Sequence, residues 1–273
     1  MRVTYLGIHP LKSTRSIAVE SAVVEPWGLA GDRRWAVVDA DGGKVTAREE
    51  SALLRVTAAP EAGGALTLTA PDTPPLTVKP PESGERVPVG FRNLDHALAA
   101  GDDADAWLTR QIGRPVRLVW LDDPYRRAVD GAHGGLPGEA VTLADATPLL
   151  LTATASLDRL NEWVAETAAG RGESAPDPLV MRRFRPNVVV DGETPFAEDD
   201  WTGLRIGEVD FRVASLCDRC VMTTIEPDTL ARGKEPLRTL AKRRRWDGKT
   251  WFGVRLVPRT TGEIRVGDSA RSG

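Results

Sequence analysis

Short runs of alternating apolar and polar residues, separated by turn-forming residues, make up the first third of the chain. Such runs lie at residues 2–8, 17–24 and 35–38, and glycine-rich or proline-rich turns interrupt them at residues 41–43 and 71–75. A period of two residues with turns at this spacing is typical of an antiparallel sheet or a small barrel. The N-terminal part of the chain is therefore predicted to consist of strands.

Helical patterns occur at only three places. Apolar residues share one face of a predicted helix at residues 103–113 and at 156–168, and a third helix is predicted at about 235–245. More strands are predicted at residues 116–121, 187–190, 204–206, 209–214, 252–257 and 263–266. The predicted fold class is β-rich α+β with a barrel at its centre. A boundary after Leu121 divides the chain into predicted domains 1–121 and 122–273, and residues 124–138 are predicted to form a surface loop.

Composition excludes several classes of protein. The chain has 273 residues, of which 41% are apolar and 27% are charged, with a net charge of −3. This profile is that of a globular protein and not of a disordered one. The slight acidity argues against a nucleic-acid partner, which requires a positive surface. No apolar stretch approaches the roughly 20 residues that a membrane-spanning helix needs, and the N-terminus lacks the apolar core of a signal peptide, so we predict a cytoplasmic protein.

Cys217 and Cys220 are the only cysteines. Arg219 lies between them, and its positive charge favours the thiolate form of a neighbouring cysteine, which is the form that attacks substrates or binds metals. The C-x-x-C spacing has three interpretations: a redox pair, half of a zinc site, or two small buried side chains. The thioredoxin-like pattern and two further zinc ligands are both missing. From composition alone, two buried structural cysteines are as good an interpretation as the redox pair and the half zinc site taken together.

Three segments have the chemistry of anion binding. Arg182-Arg183-Phe184-Arg185-Pro186-Asn187 places three guanidinium groups before a predicted strand, and guanidinium can bind phosphate through two hydrogen bonds. His9-Pro10-Leu11-Lys12-Ser13 and Gly31-Asp32-Arg33-Arg34-Trp35 are the other two. A solvated turn is an equally good interpretation of the first segment. The basic run at residues 242–245 and the acidic run at 198–200 are predicted to be solvated surfaces.

A longer pattern resembles a known family. Cys217-Asp218-Arg219-Cys220-Val221-Met222-Thr223-Thr224, continued through Pro227-Asp228-Thr229, resembles the signature of the MOSC domain, the C-terminal domain of molybdenum-cofactor sulfurases. The similarity extends to the amidoxime-reducing components and their bacterial relatives. Supporting segments are His9 to Ser13, Gly31 to Trp35, Phe184 to Asn187, Phe252-Gly253 and Gly262 to Asp268. The resemblance implies a MOSC-type β-barrel core, a smaller N-terminal β-rich domain and a few flanking helices.

The resemblance also implies a molybdenum cofactor (Mo-molybdopterin) whose metal is bound by the thiolate of Cys220, which is therefore the expected catalytic and metal-binding residue. A soft thiolate suits such a metal. Ala146 replaces a hydroxyl residue of the relatives, and Asp218 stands where the animal enzymes carry serine. The positions that match the family's cofactor-binding residues are Lys12, Ser13, Arg33, Asp145, Ala146, Thr147, Arg185, Asn187, Asp218, Arg219 and Cys220.

The implied reaction is the two-electron reduction of an N–O bond in a small N-hydroxylated molecule. The electrons are expected from a separate protein, either a ferredoxin, a flavodoxin or a cytochrome b5-like reductase system, and neither a nucleic acid nor a membrane is expected as a partner. Two alternatives remain. The first is a carrier or binding protein for the molybdenum cofactor or its sulfur, without turnover. The second is a thiol-redox protein that uses Cys217 and Cys220 without molybdenum.

Overall fold

The computed structural model describes every residue from Met1 to Gly273. The strands are β1 (Val3–Ile8), β2 (Ile17–Val19), β3 (Ser21–Glu25), β4 (Gly28–Leu29), β5 (Trp35–Val38), β6 (Lys44–Val45), β7 (Thr57–Pro60), β8 (Leu66–Ala70), β9 (Thr73–Val78), β10 (Arg86–Pro88), β11 (His96–Ala99), β12 (Arg117–Trp120), β13 (Leu149–Ala153), β14 (Val188–Val190), β15 (Gly203–Ile206), β16 (Val209–Asp218), β17 (Arg245–Trp246), β18 (Lys249–Pro258), β19 (Gly262–Arg265) and β20 (Ala270–Ser272). The α-helices are α1 (Asp102–Ile112), α2 (Thr154–Ala169) and α3 (Leu237–Arg243).

The chain divides into two compact units. The first contains Met1–Gly7, Ala18–Glu25 and Leu149–Gly273. Its main sheet has the order β2-β1-β14-β13-β18-β16-β15-β20, and β17 adds to β18 as a hairpin. Strands β13 and β14 run parallel, and α2 lies in the connection between them, because parallel neighbours need a long crossover.

Aromatic packing in the first unit fixes the turn that precedes β14. Phe184 stacks on Phe252 of β18 with ring centroids 4.1 Å apart, and both are buried in a cluster with Leu160 of α2 and Leu240 of α3. Gly253 follows Phe252 with a φ of +76°, and a Cβ atom there would lie 2.6 Å from a backbone carbonyl oxygen of β13. Only glycine fits this crossing, which explains the Phe252-Gly253 pair of the sequence pattern.

The second unit contains Ile8–Ile17 and Pro26–Pro148. It has a five-stranded sheet of order β10-β11-β12-β5-β6 and a three-stranded sheet β7-β8-β9. Three aspartates in the first turn of α1 favour its N-terminus, and Gly113 ends the helix in the left-handed conformation. Trp107 and Leu108 form the buried face of α1, as the sequence periodicity requires.

The predicted β-rich α+β class is confirmed, and so are all three helices. The third helix is shorter than predicted because it ends at Arg243, where the chain turns into the β17–β18 hairpin. Residues 124–138 form only single 3-10 turns. None of the helices combines the length and the apolar character that crossing a bilayer requires. The boundary after Leu121 stays a prediction.

Candidate functional site

Lys12 is a buried cation in the second unit. Its backbone N–H donates to the carbonyl of Trp35 at 2.9 Å, which holds the segment after β1 against β5. The side chain is 5% exposed, and its Nζ donates to Asp145 Oδ1 at 2.5 Å. Burial lowers the pKa of Lys12 from 10.5 to about 8, although the Asp145 carboxylate opposes this effect. The ammonium group is thus kept charged at neutral pH by one carboxylate.

Positive charge exceeds negative charge around Asp145. Arg48 Nη2 lies 3.6 Å from Asp145 Oδ1, and the charges of Arg33 and Arg127 also act on this ion pair. Lys12 is the main reason why the pKa of Asp145 is well below its usual range. Arg33 is also paired with Asp32, but Asp145 is the only carboxylate that all these cations face together. The cations therefore outnumber the carboxylates here, and the pocket favours an anionic ligand.

Asp32 organises the Gly31 to Trp35 segment. The carboxylate is buried, accepts the backbone N–H of His9 at 2.7 Å and forms an ion pair with Arg33. Burial alone would raise the pKa of Asp32, but Arg33 and His9 outweigh it and lower the pKa to about 2. The Arg33 N–H donates to His9, and the Arg33 carbonyl accepts from Leu143. Asp32 therefore fixes the backbone of a predicted cofactor-binding residue.

Arg127 is a buried cation beside Asp145 that sequence reasoning missed. It belongs to the predicted surface loop, yet it is buried, and its guanidinium donates to the carbonyls of Thr142 and Ala144, the latter at 2.7 Å. Burial lowers its pKa to about 10. Lys12, Lys44 and Arg127 all lie 5.3 to 5.7 Å from the ring centroid of Phe91, whose face attracts cations.

A cavity of about 170 Å³ opens beside these groups. Arg92, Arg127, His133, Asp145 and Ala146 contribute to its lining. The predicted residues Asp145 and Ala146 thus face a polar cavity, while Thr147 is buried next to them in sequence. Arg127 donates hydrogen bonds to the carbonyls of Thr142 and Ala144, which precede Asp145. It therefore positions the part of the cavity wall that Asp145 and Ala146 form.

Three predicted cofactor-binding residues have left-handed backbone conformations. The φ angles are 71° for Ser13, 49° for Arg33 and 56° for Arg185. For a residue other than glycine this conformation costs about 1–2 kcal/mol. Residues held in it concentrate at functional sites, where the surrounding structure maintains them. The sequence carried no signal for these conformations, since none of the three is glycine or asparagine.

In the first unit, the residues of the family signature, Cys217 to Thr224, lie at the end of β16 and just beyond it. We call this segment the signature loop. Cys217 is buried and Cys220 is exposed, and both are free thiols. The backbone N–H and the hydroxyl of Thr223 both donate to the Cys220 carbonyl, at 3.1 and 3.0 Å. These bonds stabilise the 3-10 turn Val221–Thr224 and hold the backbone of Cys220 in place while its thiol faces outward.

The guanidinium of Arg219 contacts the other cysteine. Its Nη1 donates to Cys217 Sγ at 2.9 Å, and its Nη2 donates to the Phe184 carbonyl at 2.7 Å. No hydrogen bond joins Arg219 to the Cys220 thiol. Side chains alternate in extended backbone, so residues 217 and 219 share a side and residue 220 does not. The Nε atom of Arg219 is buried without a hydrogen-bond partner, which leaves a donor for a ligand.

Arg255 is the second residue that sequence reasoning missed. Its Nη2 contacts Asp218 Oδ1 at 2.5 Å, and its Nη1 donates to the Leu216 carbonyl at 2.8 Å. Burial would raise the pKa of Asp218, but Arg255 outweighs it and the pKa is lowered. The negative charge of Asp218 is therefore matched. The sequence does contain one signal that could have identified Arg255, because it is the single charged residue in the apolar run of residues 252–257.

Asn187 has a structural role in the first unit. Its Nδ2 donates to the Gly7 carbonyl at 3.0 Å, and its Oδ1 accepts the Leu150 N–H at 3.2 Å. It therefore joins the ends of β1 and β13 beside β14. Of the predicted site residues, Lys12, Ser13, Arg33 and Asp145 to Thr147 belong to the second unit. Arg185, Asn187 and Asp218 to Cys220 belong to the first unit.

Comparison with known proteins identifies the family. The model of the MOSC domain matches residues 138–271, and the model of the MOSC N-terminal beta barrel domain matches residues 1–115. Human mitochondrial amidoxime-reducing component 1 is 32% identical over 97% of this chain and 81% of its own length. The chain belongs to the MOSC family. This confirms the family assignment made from the signature loop.

Two further relatives extend the comparison of this MOSC protein. Mitochondrial amidoxime-reducing component 1 of Danio rerio is 33% identical over 97% of this chain and 83% of its own length. Molybdenum cofactor sulfurase of Danio rerio is 30% identical over 93% of this chain, which corresponds to only 32% of that longer protein. The MOSC protein is thus similar to most of the length of the amidoxime-reducing components and to about a third of a sulfurase.

The residues of the MOSC protein fit a molybdenum cofactor. The excess of cations around Asp145 suits an anionic group such as a phosphate. The buried Nε of Arg219 has a free donor, which suits a ligand rich in hydrogen-bond acceptors. The exposed thiol of Cys220 is the soft ligand that such a metal takes.

Proposed function

We propose that this MOSC protein is a molybdenum-cofactor-dependent reductase of small N-hydroxylated compounds such as amidoximes and hydroxylamines. The observation that carries the proposal is the exposed Cys220 thiol on the signature loop, in a chain that aligns over 97% of its length with proteins named amidoxime-reducing components. A small polar cavity beside Asp145 and Ala146 adds support.

The residues proposed to bind the cofactor are those that match the family's cofactor-binding positions. Cys220 would bind the molybdenum, and the cofactor would supply the acceptor for the oxygen atom and the two-electron couple. The other residues are Lys12, Ser13, Arg33, Asp145, Ala146, Thr147, Arg185, Asn187, Asp218 and Arg219.

Individual side chains of the chain have distinct tasks in the proposal. Lys12 neutralises an anionic group of the cofactor, because its ammonium is charged at pH 7 with a pKa of about 8. Arg219 supports the loop through Cys217 and Phe184 and offers its Nε to the ligand. The Asp218–Arg255 pair fixes the residues immediately before Cys220 without adding net charge.

The balanced reaction consumes two electrons and two protons. The N–O bond of an amidoxime breaks, an amidine forms, and the oxygen leaves as water. The electrons come from a separate carrier, either a ferredoxin, a flavodoxin or a cytochrome b5-like reductase system. We place the reaction in the cytoplasm, and the two free thiols fit that reducing compartment.

Turnover with a chemical reductant tests the proposal. The protein is purified from a host that makes the molybdenum cofactor, and benzamidoxime is offered with a reduced viologen while benzamidine is measured by chromatography. We expect product with the wild type and with the matched control Cys217→Ser, and none with Cys220→Ala. Equal rates for wild type and Cys220→Ala would contradict the role of Cys220.

A cofactor or sulfur carrier is the second candidate, since the chain is 30% identical to part of a molybdenum cofactor sulfurase. A carrier would bind the cofactor tightly and transfer it to an apoenzyme. It would show no reduction of benzamidoxime with the chemical reductant. The same assay therefore separates the two functions.

A further inference from the structure

Positive charge is concentrated in one segment of an acidic chain. Residues 232–249 contain eight lysines and arginines but only two acidic residues, whereas the whole chain has a net charge of −3. This segment forms α3, β17 and the first residue of β18. The rest of the chain is therefore more acidic than the chain as a whole, and this segment is a local concentration of positive charge.

Some of these cations are already used within the fold. Arg244 is buried, pairs with Asp199 and donates to the Trp251 carbonyl at 3.0 Å. Arg243 pairs with Glu166 at 3.0 Å. Arg245 and Lys249 are different, because both are exposed and neither has a carboxylate within ion-pair distance. Their charges are available to a partner.

The available cations lie on a rigid hairpin. Trp246 faces Lys249 across a two-residue turn, and both turn residues, Asp247 and Gly248, have positive φ angles of 53° and 73°. An Asp-Gly turn with two positive φ angles is the tight type that matches the twist of paired strands. We call Arg245, Trp246 and Lys249 the hairpin patch.

Trp246 gives the hairpin patch an aromatic anchor. Its side chain is 40% exposed and packs against Trp251 with ring centroids 6.0 Å apart. The Trp251 Nε1 donates to the Trp246 carbonyl at 3.2 Å. Tryptophan and arginine are enriched at the energetic centres of protein interfaces, so the exposed Trp246 next to Arg245 is suited to such a centre.

The hairpin patch is continuous with the signature loop. Trp251 of β18 pairs with Asp218 of β16, and the Arg219 N–H donates to the Thr250 carbonyl at 2.8 Å. Thr250 directly follows Lys249 and Cys220 directly follows Arg219, so a protein bound at the hairpin patch would lie close to Cys220.

We infer that the hairpin patch is the docking surface for an acidic electron-carrier protein. The inference rests on the proposed function, which requires electrons to arrive near Cys220. Complementary charge would speed the encounter and orient the carrier, and Trp246 would provide the apolar contact. A nucleic acid or an anionic membrane could use the same charge, and binding to either is tested as an alternative outcome.

The test compares two variants with the same change of net charge. Arg245→Glu/Lys249→Glu reverses the hairpin patch. The control Arg259→Glu/Arg271→Glu reverses two other exposed arginines of the first unit, and Arg259 follows the opposite end of the ten-residue strand β18, about 30 Å away along the strand. Binding of a flavodoxin, a plant-type ferredoxin and a soluble cytochrome b5 is measured by calorimetry between 20 and 300 mM salt.

We expect the hairpin variant to bind at least one carrier about tenfold more weakly at 20 mM salt, with a smaller salt dependence. The control should stay close to wild type, and Trp246→Ala should weaken binding equally at all salt concentrations. Equal affinities for the hairpin variant and the control with all three carriers would overturn the inference. So would a patch-dependent affinity for RNA or anionic vesicles alone.

The failure of this inference is distinguishable from that of the proposed function. Turnover of benzamidoxime with reduced viologen needs no carrier, so it reports on the proposed function only. The ratio of the carrier-driven rate to the viologen-driven rate reports on the docking surface. We expect this ratio to fall in the hairpin variant and in Trp246→Ala but not in the control.

Discussion

Lys12 makes the stability of the protein depend on pH in an unusual direction. Its pKa is about 8 in the folded protein and 10.5 as an ordinary exposed lysine. Between these values the unfolded chain binds more protons than the folded chain, so the free energy of unfolding rises with pH. The full difference corresponds to about 3 kcal/mol, at about 1.4 kcal/mol for each tenfold change in proton affinity.

Urea denaturation at several pH values between 7 and 10 measures this dependence. Lys12→Met is the comparison, because methionine keeps an unbranched side chain of similar shape and removes the charge. We expect the free energy of unfolding of the wild type to gain about 2 kcal/mol relative to Lys12→Met between pH 7.5 and 9.5. Subtracting the variant removes the contributions of other groups. Parallel curves for the two proteins would refute the reasoning.

An anion bound beside Lys12 should reverse the effect. A negative ligand stabilises the ammonium form and raises the pKa of Lys12, so binding must take up a proton above pH 8. Inorganic phosphate is a suitable probe, and its affinity should fall as the pH rises from 7 to 9.5. Lys12→Met should bind phosphate more weakly at pH 7 and lose this fall, and an unchanged pH profile in the variant would contradict the assignment.

Three further substitutions test the supporting interactions. Asp32→Asn should lower the free energy of unfolding by about 2 kcal/mol at pH 7, and the wild-type advantage should vanish as the pH falls from about 4 toward 2, because the Arg33 pair holds the pKa near 2. Urea denaturation at pH 7 and 3 checks both statements. Gly253→Ala should lower the Tm by several degrees, since its Cβ would meet a carbonyl oxygen at 2.6 Å; a Tm within one degree of wild type would be the wrong result. Arg255→Met should cost about 1–2 kcal/mol by leaving Asp218 half-buried and unpaired, and Asp218→Asn in the same chain should restore part of it. If the losses of stability caused by Arg255→Met and Asp218→Asn simply add in the double variant, the two side chains do not interact and the ion pair is contradicted.

Periodicity and motif chemistry predicted much of the fold and part of the site. The alternating runs and the three helical patterns predicted the β-rich α+β class, because the burial of one face imposes a period on the sequence. The resemblance to the MOSC family pointed to Cys220 and to the segments around Lys12 and Arg33 as the candidate site, and their roles stay a prediction. These features are local in sequence, so a single chain suffices to recognise them.

Buried polar groups could not be predicted in the same way. The acidic run at residues 198–200 was expected on the surface, but Glu198 is fully buried and accepts a hydrogen bond from Ser156 at 2.9 Å. Arg244, in the basic run, is buried against Phe196 and Asp199. Arg127 was placed in a surface loop. In each case the buried polar group is matched by tertiary partners from other segments of the chain, and hydrophobic patterning contains no signal for such contacts.

The most direct test of the cofactor assignment is the molybdenum content of the protein. Wild type, Cys220→Ala and the control Cys217→Ser are purified from a host that makes the cofactor, and the metal is counted per chain by elemental mass spectrometry. We predict close to one molybdenum per chain in the wild type and in Cys217→Ser, and less metal or an altered metal spectrum in Cys220→Ala. A wild-type protein without molybdenum from a competent host would contradict the assignment.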